Sequence, residues 1–450
     1  MPLTDPKQIE DQALVLDGFR RSELDKLDKV RRYWKGKQDL PQVVPTGAPN
    51  EVKVMAKMAR VNVCDLIVES LTQSLFVEGL RVGRADENLE PWGVWQRNRF
   101  DRRQTGVHRA ALAYGTSYAV VTPGDSAPVI RGASPRGLTT LYGEDPDWPM
   151  WALEKWGSVK GPSGDTTSTW RMYDDEVVYF LQGSHGSFKY TGTSEPHRFG
   201  VCPVVRFVDA DDLDATDDID DAKNEILLGQ VAPMMNLQDQ IDLTSFNLLT
   251  AQHYGAFRQR YIIGWTSEDE DKRVKMGAAR LMTFDDIPEN VKVGEFGQTD
   301  LKGYIDSREA ALKYAATISQ TPVHELIGEL VNLSAEALRA AEAGKDRKVA
   351  ERKTSFGESW EQVFQLVGDV PDDAEVRWRD TSAQAFGATV DALGKLAALL
   401  GIPPRGLWER VPGVTDGDIK SWGSLAKEGD AFARLEQALQ RQSQGEAEPA

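Results

Sequence analysis

The stretch that most constrains the fold is 334-SAEALRAAEAGKDRKVAERKTSFGESWEQVFQLV-367. Ser334 is suited to cap a helix, Asn332 offers the same chemistry two residues earlier, and Glu336 puts a carboxylate in the first turn. The spacing predicts one helix of roughly 33 residues, about 50 Å long. Its first half is alanine and charge, and its second half carries Phe356, Trp360, Val363, Phe364 and Val367 at helical steps. Gly344 and Gly357 are weak points where a bend is expected. Ahead lies 320-QTPVHELIGELVN-332, a proline-containing loop with an apolar tip at Leu330-Val331. Such a tip is poorly placed in a monomer facing water.

The rest of the chain divides by periodicity. Helices are predicted over 5–37, 51–77 and 90–114, the last ending at Gly115, with short strands at 76–83 and 118–124. A Pro/Gly linker fills 39–50. Between 125 and 208 the candidate strands are 148–156, 169–174, 176–183, 187–192 and 204–209, an antiparallel region by their turn signals. An acidic lead-in, 209-DADDLDATDDIDDAKNEI-226, precedes a helix over 218–256. Short strands at 259–265, 280–284 and 291–296 flank the charged run 268-EDEDKRVK-275, and helix returns over 300–319. Helices at 380–402 and 415–442 precede a tail, 441–450, expected to be disordered. The fold class is α+β, mainly helical.

A formal net charge of −17 over 450 residues argues against a basic surface that wraps nucleic acid. The N-terminus has no signal-peptide pattern, and no apolar run is long enough to span a membrane, so none is expected as a partner. Cys64 and Cys202 lie far apart, which suggests neither a zinc ribbon nor a redox pair. The pairs Gly36-Lys37, Gly344-Lys345 and Gly394-Lys395 are followed by Gln, Asp and Leu, so there is no phosphate-cradling P-loop. The five histidines are scattered. The one metal candidate is Asp214, Asp218 and Glu225 at EF-hand spacing, but Ile219 replaces the glycine that the loop's turn needs. A solvated acidic face before a helix N-terminus explains the cluster better. No cofactor is expected, and an enzyme is disfavoured.

The order of several stretches resembles portal proteins of tailed bacteriophages, of the type common in phages of actinobacteria. They are 33-YWKGKQDLP-41, 61-VNVCDLIVESLTQSLFVEGLRV-82, 95-WQRNRFD-101, 112-LAYGTSYAVV-121, 199-FGVCPVVRF-207 and 320-QTPVHELIGELVNLSAEALRAAE-342, with 380-DTSAQAFGATVDALGKLAALLGIP-403 fitting less distinctly. Ala335 stands where the family pattern has glycine.

The resemblance implies a dodecameric ring at one capsid vertex, through which double-stranded DNA is packaged and ejected. Mapped by element order, it implies a wing over 1–225, stem helices over 226–256 and 301–319, and a clip over 257–300. A tunnel loop over 320–333, a long kinked helix over 334–370 returning to the wing, and a crown-like helical region over 371–450 complete the chain. Leu330, Val331, Asn332 and Leu333 would line the constriction. Lys302, Arg308 and Lys313 would face the channel or a neighbouring subunit. Glu268, Asp269, Glu270, Asp271, Lys272 and Arg273 would contact the packaging motor or a connector. The implied partners are further copies of the chain, DNA, the terminase large subunit, major capsid and scaffolding protein, and a head-completion protein. The implied location is the virion, with assembly in the host cytoplasm. The competing readings are a metal-dependent, nuclease-like enzyme at Asp214, Asp218 and Glu225, and a monomeric helical adaptor or scaffold.

Overall fold

The computed structural model describes residues 2–39, 47–83, 88–160, 166–184, 186–210, 229–255, 260–263, 281–284, 292–295, 300–328, 335–379, 386–411, 414 and 417–427. The chain forms two compact units, Met1–Arg379 and Asp380–Ala450. The predicted linker at 39–50 and the tail lie largely or wholly outside the described residues.

In the first unit, α1 (Pro6–Trp34) starts with Pro6 in its first turn and Asp5 accepting the Lys7 N–H at 3.0 Å. Its N-terminal half buries Ile9, Ala13 and Leu16 against a five-stranded antiparallel sheet. That sheet is a meander of β4 (Leu138–Tyr142), β5 (Pro149–Lys160), β6 (Thr166–Tyr173), β7 (Val177–Ser184) and β8 (Ser187–Pro196). The C-terminal half buries Leu27, Val30 and Trp34 in the main core. A second sheet has β2 (Thr116–Thr122) between β3 (Val129–Ala133) and β9 (Val204–Val208). The strands β3 and β4 are additional to those predicted.

Two predicted helices are each broken in two, and side chains from elsewhere explain why. The helix expected over 51–77 is α2 (Asn50–Met58) and α3 (Val63–Thr72). Between them, the Asp242 carboxylate accepts the Val61 N–H at 3.1 Å and the Gln238 Oε1 accepts the Val63 N–H at 3.0 Å. The Gln238 amide donates to the Val61 carbonyl at 2.6 Å, and Asn62 caps α3 through the Asp65 N–H. Backbone groups that a continuous helix would pair internally are thus satisfied from α6 (Met235–Gly255). The helix expected over 90–114 is α4 (Pro91–Arg97) and α5 (Phe100–Tyr114), with Arg99 left-handed at φ 56° between them. Asn98 bridges this break to the start of β3, donating to the Pro128 carbonyl at 3.0 Å and accepting the Ile130 N–H at 3.1 Å. Gly115, at φ 89°, ends α5 as predicted, by adopting the left-handed backbone that glycine tolerates.

Strand β1 (Val77–Val82) pairs antiparallel with β13 (Ala374–Trp378). This strand lies inside the region read as helical from 371 onward, and the pairing moves the boundary of the C-terminal unit to Asp380. Between α6 and α7 (Lys302–Ser319), three short strands form one sheet: β10 (Arg260–Ile263) pairs parallel with β11 (Leu281–Phe284) and antiparallel with β12 (Lys292–Glu295). After a five-residue helix, α8 (Val323–Ile327), the long helix α9 runs without interruption over Ala335–Val367, through both Gly344 and Gly357.

The main core gathers around the second half of α9. Trp360 makes edge-on contacts with Trp95, Phe100 and Phe207, and Phe364 lies against Trp95. The Trp360 indole N–H donates to His108 Nε2 at 2.8 Å. An indole can only donate, so Nε2 must accept and the ring proton sits on Nδ1, facing the Leu75 carbonyl at 3.3 Å. Complete burial pushes the His108 pKa down to about 3. In the second unit, α10 (Phe386–Leu400) is followed by a 3-10 helix at Pro404–Arg410 and by a helical stretch over 417–427.

Trp360→Ala is expected to destabilise the fold by about 3–5 kcal/mol in urea denaturation. The neutral His108 contributes stability that is complete above its unfolded pKa near 6.5 and is lost as pH falls toward 3, because the unfolded state binds the extra proton. The difference in urea midpoint between wild type and His108→Gln should therefore shrink steadily from pH 7 to pH 4.

Candidate functional site

The loop with the apolar tip springs from two ends that the structure does describe, Gly328 and Ala335. The paired helices α6 and α7 lead to it. Val231 and Met234, just ahead of α6, share a core with Ile241 and with Ala311 and Ala315 of α7, so the two helices form a hairpin that turns through the β10–β12 sheet. The buried face of α7 is Ala311, Ala315, Ala316 and Ser319. Small side chains there allow close helix approach. Gln320 adopts the left-handed backbone at φ 57°, and the Thr321 N–H returns to the Ala316 carbonyl at 3.0 Å, closing the helix. Pro322 then begins the turn into α8, and Gly328, at φ 75°, ends it. The stretch 320–333, read from sequence as one loop, therefore contains a short helix that carries the chain toward its tip.

Opposite α7 and α8 lies the charged half of α9. Lys345, Lys348 and Arg352 are spaced three and four apart, on one face. Each is tied to a different anchor. The Lys345 ammonium bonds Glu325 of α8 at 2.7 Å. Glu325 also accepts the Ser70 hydroxyl of α3. The Lys348 ammonium donates to the Ser319 carbonyl at the end of α7, at 3.0 Å, and to the Gln230 side chain. Arg352 bonds the Asp209 carboxylate at 2.7 Å, and Gln230 donates to the same carboxylate. Further along, Ser355 and Ser359 donate to the Val208 and Arg206 carbonyls at 3.0 and 2.9 Å. Burial alone would raise the Glu325 pKa, but the bonds from Lys345 and Ser70 outweigh it and hold the carboxyl below its ordinary value. Burial pushes the Lys348 pKa down, with Asp209 opposing.

This base was not recognised from sequence. Its three cations stand in 342-EAGKDRKVAERK-353, where every face of the helix carries charge. Only the buried partners single them out.

Of the residues singled out on the stem, Lys302 and Lys313 are exposed, and each pairs with an acid one turn away on its own helix: Asp306 at 2.9 Å and Glu309 at 3.9 Å. Arg308 is half-buried, and its Nε has no hydrogen-bond partner among the described residues. Leu330, Val331, Asn332 and Leu333 lie outside the described residues. So do Glu268, Asp269, Glu270, Asp271, Lys272 and Arg273, and likewise Asp214, Asp218 and Glu225. Among the described residues no group of three or more His, Cys, Asp or Glu side chains is placed to hold a metal ion. No described helix is long and apolar enough to cross a membrane.

The sequence profile "Phage portal protein, SPP1 Gp6-like" matches residues 19–444. A portal protein of Mycobacterium phage D29 is 27% identical over 438 residues, covering 88% of this chain and 84% of the relative. One from Mycobacterium phage L5 is 26% identical over 439 residues, with the same coverage. A chain from the virion of a native gene transfer agent particle superposes with a TM-score of 0.44 at 13% identity, covering 81% of this chain and 98% of that chain.

Glu325→Gln should loosen α8 without unfolding the unit. Amide exchange across 323–328 at pH 7 is expected to speed up by roughly tenfold, the loss of one charge-assisted bond. The folded pKa of Glu325 is depressed, so wild type's advantage is present above the unfolded pKa and disappears as pH falls through the folded one. Exchange in the two proteins should converge in acid.

Proposed function

The chain belongs to the SPP1 Gp6-like family of phage portal proteins, and we propose that its copies close into a dodecameric ring whose axis is a conduit for double-stranded DNA. The family is structural rather than enzymatic, which removes the nuclease-like reading. In the proposed ring, the wing is 1–225 together with the returning helix of 334–370. The stem is 226–256 with 301–319, the clip is 257–300, and the tunnel loop is 320–333. The crown-like part begins at 380, beyond β13. Leu330, Val331, Asn332 and Leu333 form the constriction. Lys302, Arg308 and Lys313 face the channel or the next subunit. The clip run Glu268, Asp269, Glu270, Asp271, Lys272 and Arg273 meets the terminase large subunit or a head-completion protein. Major capsid and scaffolding proteins meet the assembled ring, which resides at one vertex of the virion after assembly in the host cytoplasm.

The observation that carries this reading is the base of the loop. The loop's first root, Gly328, follows the Glu325–Lys345 pair by three residues, and α9, which begins at its second root, Ala335, is tied down at Lys345, Lys348 and Arg352, ten to seventeen residues further on. Repeated about an axis, apolar tips make few phosphate contacts, so little affinity arises from counterion release and DNA can slide. The outward face of α7 also exposes Tyr314 (61%) and Ile318 (56%). Apolar side chains beside each other on a surface helix suit a heterologous contact between copies, and such a contact gives a ring when the rotation closes.

Native mass measurement and negative-stain imaging of the purified chain test the ring. Twelve copies of a 49.9 kDa chain give roughly 600 kDa and a particle with a central hole. A chain that stays near 50 kDa at high concentration, with scaffold and capsid protein added, is instead a monomeric adaptor. Tyr314→Glu with Ile318→Glu should shift the ring toward monomer while leaving the melting temperature of the monomer within a few degrees of wild type.

A further inference from the structure

Two charged motifs have no part in the proposed conduit: the basic end of α1, 29-KVRRYWKGK-37, and the acidic run 211-DDLDATDDIDD-221. Arg31, Arg32, Lys35 and Lys37 line an open cavity of about 490 Å³, and Arg136 reaches it from the turn between β3 and β4. Among the described residues of the lining, only Asp25 and Asp28 oppose these five cations. Arg136 is paired to Asp28 at 2.6 Å, Arg32 lies 3.3 Å from the exposed Asp39, and the Lys35 ammonium sits over the Trp34 ring at 3.6 Å. Arg31 and Lys37 make no ion pair among the described residues. The C-terminal dipole of α1 amounts to about half a charge and reaches only the last turn, so it offsets little of this surplus. A concentrated positive cavity on a chain of net charge −17 calls for an anion.

The structure also shows where the acidic run leaves and returns. The Asp209 N–H bonds the Gly115 carbonyl at 2.9 Å, and the Gln230 N–H bonds the Leu112 carbonyl at 2.7 Å. Both ends of 211–228 are therefore attached at the last turn of α5. Tyr114, in that turn, packs edge-on against Trp34 with ring centroids 5.6 Å apart. Burial raises the Tyr114 pKa, and the charges of Arg136 and Arg31 oppose it. The segment 211–228 holds Asp211, Asp212, Asp214, Asp217, Asp218, Asp220, Asp221 and Glu225 against the single Lys223. Half its length, drawn out, reaches roughly 30 Å. A tether this short gives an effective concentration in the millimolar range.

From this juxtaposition we infer that the basic cavity is a docking site for the acidic segment 211–221 of the same chain. The guanidinium groups of Arg31 and Arg32 offer the forked donors that carboxylates accept, and the Lys37 ammonium adds a mobile charge at the rim. The inference is independent of ring formation and applies equally to a lone chain.

Limited proteolysis of the full chain with an aspartate-specific endoprotease tests it, with cleavage inside 211–221 followed by mass spectrometry. At low salt, Arg31→Glu with Lys37→Glu is expected to speed that cleavage roughly five- to tenfold, as the loss of a few partly solvated ion pairs implies. About 0.5 M salt, with a Debye length of about 4 Å, should speed cleavage of wild type and remove most of the difference. Adding Asp217→Lys and Asp218→Lys to the reversed background should restore protection, read at Asp211, Asp212 and Asp214, the sites that all the variants keep. An unchanged melting temperature excludes a folding defect. Cleavage that ignores charge reversal overturns the inference. So does protection that grows with protein concentration, which would assign the cavity to the segment of a second copy. If the reversal weakens binding of a double-stranded DNA oligonucleotide and leaves cleavage untouched, the cavity is a nucleic-acid contact and the inference fails.

Discussion

The first unit depends on the burial of one end of a rigid rod. Trp360, Val363 and Phe364 are completely buried among aromatic side chains from α4, α5 and β9, and the indole–imidazole bond fixes the rotation of α9 about its axis. A 33-residue helix cannot redirect its remaining turns independently. Fixing its last turns therefore fixes where Ala335 stands, and with it one root of the apolar loop. The other root, Gly328, is placed by α7 and α8, which pack through a strip of alanines and a left-handed turn.

Hydrophobic burial does not explain the charged half of that rod. Arg352 and Asp209 are almost fully buried, at 7% and 1% side-chain exposure. Taking both charges out of water offsets much of their attraction, so the pair adds little net stability over a well-packed apolar pair. It adds geometry: a slip of one residue along α9 would leave a buried charge without a partner, at a cost of about 3–5 kcal/mol. Lys348 reads the end of α7 in the same way, and Lys345 reads α8. The three ties set the register between the two roots of the loop, which nonpolar contacts along an alanine-rich surface would leave loose.

The sequence carried the periodic parts of this arrangement well. Alternation and turn residues disclosed β5 to β9 and the three short strands between α6 and α7, and the spacing of apolar residues disclosed α1, α7 and α9. It failed where distant side chains decide local structure. Nothing in 51–77 says that Gln238 and Asp242, some 180 residues away, will satisfy the backbone at Val61 and Val63 and split the helix. Asn98 splits the next helix through Pro128 and Ile130 in the same manner. Strand β13 alternates over only five residues beside a long helical pattern, and its partner β1 lies about 300 residues earlier. The family came from the order of several short stretches, none of them chemical, whereas Lys345, Lys348 and Arg352 could not be told from solvated charge without their partners.

Charge and apolar surface take separate roles in the proposed assembly. Chains of net charge −17 repel one another, so charge pairing alone cannot hold copies together. The exposed apolar side chains of α7 are then the natural source of association, because hydrophobic burial is indifferent to the sign of the surrounding field. In the proposed ring, the apolar tips at Leu330 and Val331 offer phosphates no counter-charge. An arrangement that associates through apolar faces and meets DNA with apolar tips can be tight between subunits and slippery toward its cargo at once. A basic channel would supply affinity where motion is required, and an entirely charged subunit surface would supply repulsion where contact is required.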